Sequence, residues 1–239
     1  MADLSNKFGS EFKLSSDELL NLDGIARLCA GQGLYGKAAE AYQTALKKAH
    51  QSPGGNSRDV AQLHLLLAGA YRSLGEKTNA ITELEQCLAV SQQVFGQTNL
   101  LSATALNQLG MMAAEDSSEG KAESFYLRSL DMLRQFGDKA KPTSAAVSMN
   151  LGLLYYHQGN RDKGIPLFDQ CLKTIEELGT PETADTAQML NTLAWVYFDL
   201  PQYEKASTLA QRSLKIREKI LGPAHPDLTD SFDLLAAFA

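Results

Sequence analysis

The sequence predicts an all-α fold, a solenoid of stacked helical repeats, because three columns of residues recur every 42 residues in constant phase. The first column pairs a large aliphatic residue with one no larger than alanine, at Ile25-Ala26, Leu67-Ala68, Leu109-Gly110, Leu151-Gly152, Leu193-Ala194 and Leu235-Ala236. The second is small, at Ala38, Ala80, Ala122, Gly164 and Ala206, and the third is leucine, at Leu46, Leu88, Leu130, Leu172 and Leu214. Small residues let helices approach closely, and leucines fill the space beside the crossing. Stacked repeats usually present an extended binding surface, so we expect this protein to hold a partner.

Each repeat is predicted to contain two helices joined by a short turn. In the first repeat, apolar and small residues fall at helical spacing from Leu19 to Cys29, and Gly31-Gln32-Gly33 interrupts them. The spacing resumes from Ala38 to Ala49 and ends at Ser52-Pro53-Gly54-Gly55. The turn recurs at Gly75, Gly159-Asn160 and Pro201, and the loops between repeats carry Gly96, Gly137, Gly179 and Gly222-Pro223. No segment shows the sustained alternation that is typical of a strand.

This spacing predicts five complete helix-turn-helix units and a sixth, partial unit within residues 17–239. The complete units span about residues 19–57, 58–97, 98–141, 142–181 and 182–224, and the half unit spans 225–239. Residues 1–16 are polar and lie outside the repeat register, so we predict an arm that is disordered or partly vector-derived. Gly9-Ser10-Glu11-Phe12 is what two adjoining cloning sites encode.

The half unit carries an apolar run from Leu234 to Phe238, whereas a natural terminal repeat usually turns a polar face to water. Either this half unit is a short capping helix or the chain is cut from a longer protein. We expect the second.

Composition and charge narrow the class of protein. Hydrophobic residues make up 44% of the chain, enough for a continuous core, yet no apolar run approaches the roughly 18 to 20 residues that span a bilayer. A net charge of −6 without a basic block argues against nucleic acid or an anionic membrane as the main partner. The N-terminus lacks a secretory pattern. Three widely spaced cysteines indicate a reducing compartment, so we expect an intracellular, cytoplasmic protein.

Several of these residues fit a known repeat pattern. Gly33, Tyr35, Ala38, Tyr42 and Ala45 occupy the places of its turn glycine, alanines and aromatic residue, as do Leu151-Gly152, Tyr155, Gly159, Gly164, Phe168 and Cys171 in the fourth unit. The chain therefore resembles tetratricopeptide repeat (TPR) proteins over about residues 18–239. The usual unit has about 34 residues, and the longer unit is similar to that of kinesin light chains. The segment Arg217–Asp227 resembles their inter-repeat junction, and Asn107, Asn150 and Asn191 resemble their asparagines before the Leu-Ala or Leu-Gly pair.

The resemblance implies a right-handed superhelix whose first helices line a concave peptide-binding groove. Helical spacing projects a set of large side chains onto that inner face in the third to fifth units: Met111, Met149, Leu153, Tyr156, Trp195 and Phe198. The first units instead offer Asp23, Arg27, Gln62 and Arg72. Trp and Tyr are frequent binding anchors, so we predict a peptide-binding patch. The alternative is that the long helices bury some of these side chains against their neighbours.

Polar residues are predicted to shape what binds there. Gln188 and Asn191 lie on the same projected face as Trp195, and a carboxamide can pair with the backbone of an extended peptide. Three acidic residues, Asp199, Asp230 and Asp233, are predicted to gather at the C-terminal end, where they would favour a basic ligand or form an ordinary solvated face. His157 is a further candidate peptide contact. Kinesin light chain grooves recognise a tryptophan flanked by acidic residues, but only Arg27 and Arg72 offer basic groups here, so the sequence does not favour that cargo.

Motifs for catalysis or cofactor binding are nearly absent. Gly31, Gly33 and Gly36 spell GxGxxG, but a dinucleotide site needs a preceding strand and an acidic residue about 20 positions later. The histidines, His50, His64, His157 and His225, show no metal-ligand spacing. The cysteines, Cys29, Cys87 and Cys171, fall in small-residue columns that are typical of packing, and no nucleophile is marked by a nearby base. We predict no catalytic residue, metal site or cofactor.

Three classes of function remain. The first is a non-catalytic adaptor whose groove binds a peptide or helix from a partner protein. The second is a structural or assembly scaffold that uses convex faces or ends, with the groove filled by a flanking segment of the protein itself. The third is an enzyme, against which the missing motifs argue. An open groove favours the first class, and an occupied groove or a symmetric dimer favours the second.

Overall fold

The computed structural model describes residues 24–26, 28–51, 58–222 and 228–236, and the regular structure within these ranges is entirely helical. Residues 24–26 and 28–31 are helical and are followed by α1 (Tyr35–Gln51), α2 (Arg58–Ser73), α3 (Lys77–Phe95), α4 (Leu100–Glu115) and α5 (Glu119–Leu133). A 3-10 helix (Arg134–Ala140) leads into α6 (Lys141–His157), α7 (Arg161–Glu177), α8 (Ala184–Asp199), α9 (Tyr203–Leu221) and α10 (Thr229–Ala236). The predicted all-α fold is confirmed.

Successive helices pack in pairs because the turns between them are only a few residues long. Helix α2 packs on α3, α6 on α7, and α8 on α9. The turns of the first two pairs require a left-handed residue, and both Gly75 and Gly159 adopt a φ of 76°. The predicted turn glycines therefore end one helix and allow the next to fold back onto it.

The chain divides into two compact units, one ending at Met132 and the other starting at Leu133. In the first unit, the helices enclose apolar clusters that contain Tyr42, Leu67 and Leu84. In the second unit, α6 to α9 enclose a cluster that contains Phe168 and Leu193.

The small-residue column from Ala38 to Ala206 is buried throughout, and so are the aliphatic-small pairs from Leu67-Ala68 to Leu193-Ala194. The leucine column is only partly confirmed, because Leu46 is buried but Leu88, Leu130, Leu172 and Leu214 are half-buried.

The small-residue column is where paired helices come closest. A Cβ added to Gly110 would lie 2.5 Å from Cε1 of Tyr126, and one added to Gly152 would lie 2.7 Å from Cε1 of Phe168. Contacts this short are not tolerated between real side chains, so neither position has room for alanine without a shift. Gly164 contributes to the same helix contact from the partner helix, because its added Cβ would lie 3.0 Å from the carbonyl oxygen of Gly152. The predicted role of this column is confirmed.

All three cysteines are buried and free, as their columns predict. Burial raises the pKa of the Cys87 thiol to about 12 and that of Cys171 to about 12. The same column continues with serine: Ser129 Oγ donates to the carbonyl oxygen of Ala103, and Ser213 Oγ donates to that of Ala187, both at 2.7 Å. Cys87 and Cys171 therefore act as packing residues in a column that alternates with hydrogen-bonded serine.

Some predictions fall outside the described residues. These are the arm at residues 1–16, Asp23 and Arg27, the loop Ser52–Gly55, and His225. The proposed unit boundaries and the meaning of the half unit also stay predictions. Along the described helices, no segment is both long and apolar enough to cross a membrane.

Candidate functional site

Helices α6 and α8 each carry one row of side chains that are exposed or half-buried, beside the fully buried residues of the second unit. On α8 this row is Gln188, Thr192, Trp195 and Asp199; on α6 it is Ala146, Asn150, Leu153 and His157. The members are spaced by three or four residues, so each row lies on one helix face. The two rows stand 42 residues apart and are equivalent in the repeat. We call them the open rows.

The open rows exist because the opposite faces of the same helices are needed for packing. Leu190, Leu193 and Ala194 of α8 are fully buried, and the core cluster around them includes Ala206 and Leu209 of α9. A helix that is buried on one side keeps its remaining face for solvent or a partner. Five residues of the open rows belong to the predicted binding face: Leu153, His157, Gln188, Trp195 and Asp199.

An aromatic ridge stands on the α8 row. Trp195 is 43% exposed, and its ring meets that of Phe198 edge to face, with centroids 6.1 Å apart. The Phe198 ring in turn meets that of Tyr203, at 5.5 Å, and Tyr203 is 55% exposed. Trp195 and Phe198 were predicted as site residues, whereas Tyr203 was not. We call these three residues the aromatic ridge.

Tyr156 ties two helix pairs together rather than standing free. Its hydroxyl donates a hydrogen bond to Asp199 Oδ2, and its ring packs on Phe168 with centroids 6.1 Å apart. The guanidinium of Arg161 lies 5.3 Å from the centre of the Tyr156 ring and 3.1 Å, at Nη2, from Asp199 Oδ2. Burial, followed by the hydrogen bond to Asp199, raises the pKa of Tyr156. Asp199 is thus already partnered by a cation and a phenol.

This pairing changes the prediction of an acidic C-terminal end. Asp199 is neutralised by Arg161, so it is a weaker attraction for a basic ligand than an isolated carboxylate would be. The side chains of Asp230 and Asp233 lie outside the described residues, and their predicted contribution stays a prediction.

A second basic residue that the sequence did not single out lies on this face. Arg217 Nη2 donates to Gln188 Oε1 at 2.7 Å. Arg217 stands in the column of Leu133 and Ile175, which are buried apolar residues. The sequence contained a signal for this residue, because an arginine here replaces the buried apolar residue found at the same position of the two preceding repeats. The Gln188 carboxamide is therefore held in place by a neighbour.

The expectation that Met149 and Asn191 are exposed on the inner face is wrong. Met149 is 4% exposed and Asn191 is 6% exposed. Both stand one residue away from the open rows, in a column that also contains the buried Asn107, so they turn towards neighbouring helices. Asn191 Oδ1 has no hydrogen-bond partner among the residues that the structure describes. Asn150, which the sequence analysis grouped with Asn107 and Asn191, belongs to the next column and is half-buried.

The remaining predicted site residues lie on accessible surface. Leu153 is half-buried against the core of the second unit, and His157 is exposed beside the Tyr156 ring, at 6.2 Å between centroids. In the first unit, Met111 is half-buried, and its sulfur lies 3.7 Å from Nη1 of the exposed Arg72. Their roles in binding a partner stay predictions.

No cluster of metal-binding side chains forms among the residues that the structure covers. His64, which is buried, makes its contact with a single carboxylate, Nδ1 to Glu83 Oε2 at 2.6 Å. Gly31, Gly33 and Gly36 lie in and beside the turn between the first helical segment and α1, with no preceding strand in the described residues. This is a helical turn and lacks the strand that a dinucleotide site requires.

Comparison with known proteins identifies the repeat. A family model described as Tetratricopeptide repeat matches residues 59–135 and 143–219, and a second model with that description matches residues 24–92. Kinesin light chain-related protein 2 of Arabidopsis thaliana is 22% identical over 186 residues, which make up 78% of this chain and 28% of that protein. The chain thus spans less than a third of this relative.

Solved structures share the fold. The crystal structure of BtubC (BKLC) from P. vanneervenii has 25% sequence identity and a TM-score of 0.66, covering 86% of this chain and 81% of that one. A Rap protein, solved with Competence and Sporulation Factor, has 18% identity and a TM-score of 0.71, covering 98% of this chain and 68% of that one. The second likeness shows the fold alone.

Proposed function

Because this chain belongs to the tetratricopeptide repeat family, we propose that it is a non-catalytic adaptor that binds a peptide or helix of a partner protein on the open rows of α6 and α8. The observation that carries the proposal is the aromatic ridge. A tryptophan and a tyrosine are exposed around Phe198 although fully buried positions are available elsewhere on the same helices. Tryptophan and tyrosine dominate the binding energy of many protein interfaces.

Polar groups along the same rows would orient the bound segment. The Gln188 carboxamide is fixed by Arg217, and Thr192 and Asn150 lie in the equivalent column of the two rows. Such groups can donate to, or accept from, the backbone of an extended peptide without reading its sequence. Apolar side chains of the partner would pack on Trp195 and Leu153. Specificity would then come from the apolar residues of the partner, and orientation from the polar ones.

The test is affinity capture from a lysate of the source organism with three forms of the chain. These are the wild type, Trp195→Ala and Leu127→Ala, a matched control because Leu127 is an exposed large apolar residue on α5, a helix that carries neither an open row nor the ridge. We expect a protein that is captured by the wild type and by Leu127→Ala and is lost with Trp195→Ala. A partner retained equally by all three forms would show that binding lies elsewhere.

One observation favours the assembly role as a second candidate. Phe232 on α10 is 45% exposed, whereas Leu190, its equivalent 42 residues earlier, is fully buried. An apolar residue exposed at a core position of the repeat is suited to a contact with another protein surface. Size-exclusion chromatography with light scattering on the wild type and Phe232→Ser would reveal a self-association that depends on this residue.

A further inference from the structure

We propose that Thr180 is a phosphorylation site for a proline-directed protein kinase and that Arg212 receives the phosphate. Thr180 lies in the loop at residues 178–183 that joins α7 to α8, it is half-exposed, and Pro181 follows it. The chain contains one other Ser-Pro or Thr-Pro pair, Ser52-Pro53. This inference is independent of the proposed binding function.

A cation already stands at the acceptor oxygen. Arg212 Nη2, on α9, donates to Thr180 Oγ1 at 2.6 Å, while Nη1 lies 3.4 Å from Glu176 Oε1. A phosphothreonine carries a charge of about −1.5 to −2 at pH 7, and guanidinium groups bind phosphate through two parallel hydrogen bonds. A phosphate on Oγ1 would therefore bind the Arg212 guanidinium that now donates to the hydroxyl. The phosphate and the Glu176 carboxylate would compete for this guanidinium.

The acidic residues around the loop do not close the site to an anion. Glu177 is 2.9 Å from Lys141 Nζ, and Glu182 is paired with Lys219. Lys141 also pairs with Asp138, so Glu177 shares its cation, whereas Glu182 has Lys219 as its own partner; both contacts reduce the repulsion that a phosphate would meet.

Opening of the loop would break one backbone hydrogen bond, from the Thr180 N–H to the carbonyl oxygen of Ile175 at 2.9 Å, and would relieve backbone strain at Thr180. Thr180 adopts a φ of 51°, in the left-handed region that β-branched residues rarely occupy. A residue before proline also prefers an extended conformation. Kinases bind the segment that carries the acceptor hydroxyl in an extended conformation. Because extension would relieve the strain at Thr180, this loop is better suited to enter a kinase active site than an unstrained loop would be. Strain of this kind in a loop points to a function.

The chemical step uses ATP as the phosphoryl donor. The Thr180 hydroxyl oxygen attacks the γ-phosphorus, the bond between that phosphorus and the β–γ bridging oxygen breaks, and ADP leaves. The hydroxyl proton passes to the catalytic base of the kinase. The product is a phosphate ester whose charge is held by Arg212, so modification would fasten the α7–α8 loop to α9.

The first experiment measures modification of the folded chain. The full chain is incubated with ATP and a proline-directed kinase, and the sites are located by mass spectrometry in the wild type, Thr180→Val and Ser52→Ala. We expect phosphate on residue 180 in the wild type and in Ser52→Ala, and none there in Thr180→Val. If the kinase modifies a peptide of residues 174–187 but leaves Thr180 of the folded chain untouched, the site is overturned.

The second experiment tests Arg212. A ³¹P NMR titration follows the second pKa of the phosphothreonine in the wild type, Arg212→Gln and Arg212→Lys, each first shown to be folded by circular dichroism. Pairing with a cation lowers an acidic pKa, so we expect the wild-type value to lie below that of Arg212→Gln by roughly 1 unit. Arg212→Lys, which keeps the charge without the paired donors, should fall between them. Identical pKa values in the wild type and Arg212→Gln would exclude Arg212 as the receiving group.

Discussion

The α-carbon of Gly152 faces the ring of Phe168 so closely that an added Cβ would lie 2.7 Å from Cε1 and 2.9 Å from Cδ1. We therefore expect Gly152→Ala to destabilise the chain by about 1 to 3 kcal/mol, the usual cost of overpacking a core. Gly120 on α5 is the matched control, because an added Cβ there meets nothing within 4 Å. Gly120→Ala should be stabilising by up to about 1 kcal/mol, since glycine is a poor helix former. Urea denaturation of both variants measures the change in the free energy of unfolding and its sign. An unchanged free energy of unfolding in Gly152→Ala would contradict the close contact.

Trp195→Ala should separate stability from binding. Trp195 is exposed, so its removal should change the free energy of unfolding by less than about 1 kcal/mol while weakening partner binding by roughly 2 kcal/mol or more. Leu193→Ala on the same helix removes a fully buried side chain and should cost about 2 to 5 kcal/mol of stability. Thermal melts followed by circular dichroism compare the two. If both variants melt at the same reduced temperature, Trp195 belongs to the core.

Asp169 should make the stability of the second unit depend on pH. Burial alone would raise the pKa of Asp169, but hydrogen bonds from Lys205 Nζ, at 2.8 Å, and from the Tyr197 hydroxyl, at 2.7 Å, outweigh it and hold the pKa below its usual value. A carboxylate whose pKa is lower in the folded state stabilises the fold at pH values above its unfolded-state pKa of about 3.9. This stabilisation is lost as the pH falls through the folded-state pKa. Asp169→Asn should therefore be less stable than the wild type at pH 7, and the gap should close in acid. Denaturation curves at pH 7, 5 and 3 check this, and a gap that stays constant would rule it out.

The alternation of cysteine and serine in one column predicts a tolerated exchange. Ser129 and Ser213 donate to a carbonyl oxygen 26 residues earlier, and the equivalent carbonyl for Cys171 is that of Ala145. Cys171→Ser should find the same partner and cost less than about 1 kcal/mol, whereas Ser213→Ala should lose about 1 kcal/mol with its hydrogen bond. Calorimetric melting temperatures of the two variants measure the difference. A severe loss in Cys171→Ser would show that the Ala145 carbonyl is out of reach.

Contacts that depend on a single column of the repeat can be predicted from the sequence. Close helix approach at Gly152 follows from the size of one residue and its repeat position, and both are visible in the sequence. The same holds for the burial of Cys87 and Cys171. For these residues the 42-residue period and the size of the side chain were enough to predict burial.

The predictions failed where one residue of offset decides burial. Met149 and Asn191 stand next to the open rows, and a helical projection cannot tell that the neighbouring helix pair covers that column and spares the next. Arg161 and Tyr203 were not predicted because their partners, Asp199 and Phe198, are contributed by a different helix. The contacts of long polar and aromatic side chains depend on where the neighbouring helices begin and end. The spacing of residues along a single helix does not specify this.

Two ion pairs, Lys77 with Glu115 and Arg161 with Asp199, both join residues 38 positions apart. In each, the cation begins the second helix of one repeat and the carboxylate ends the first helix of the next repeat. Each pair spans less than one 42-residue period, so a gene duplication or deletion of one whole period would reconnect equivalent partners. A one-residue insertion within one of these helices would instead rotate its end by a fraction of a turn and separate the charges. The loops between the helices already differ in length, as those from Phe95 to Leu100 and from Glu177 to Ala184 show, so it is the helix lengths that keep equivalent partners together.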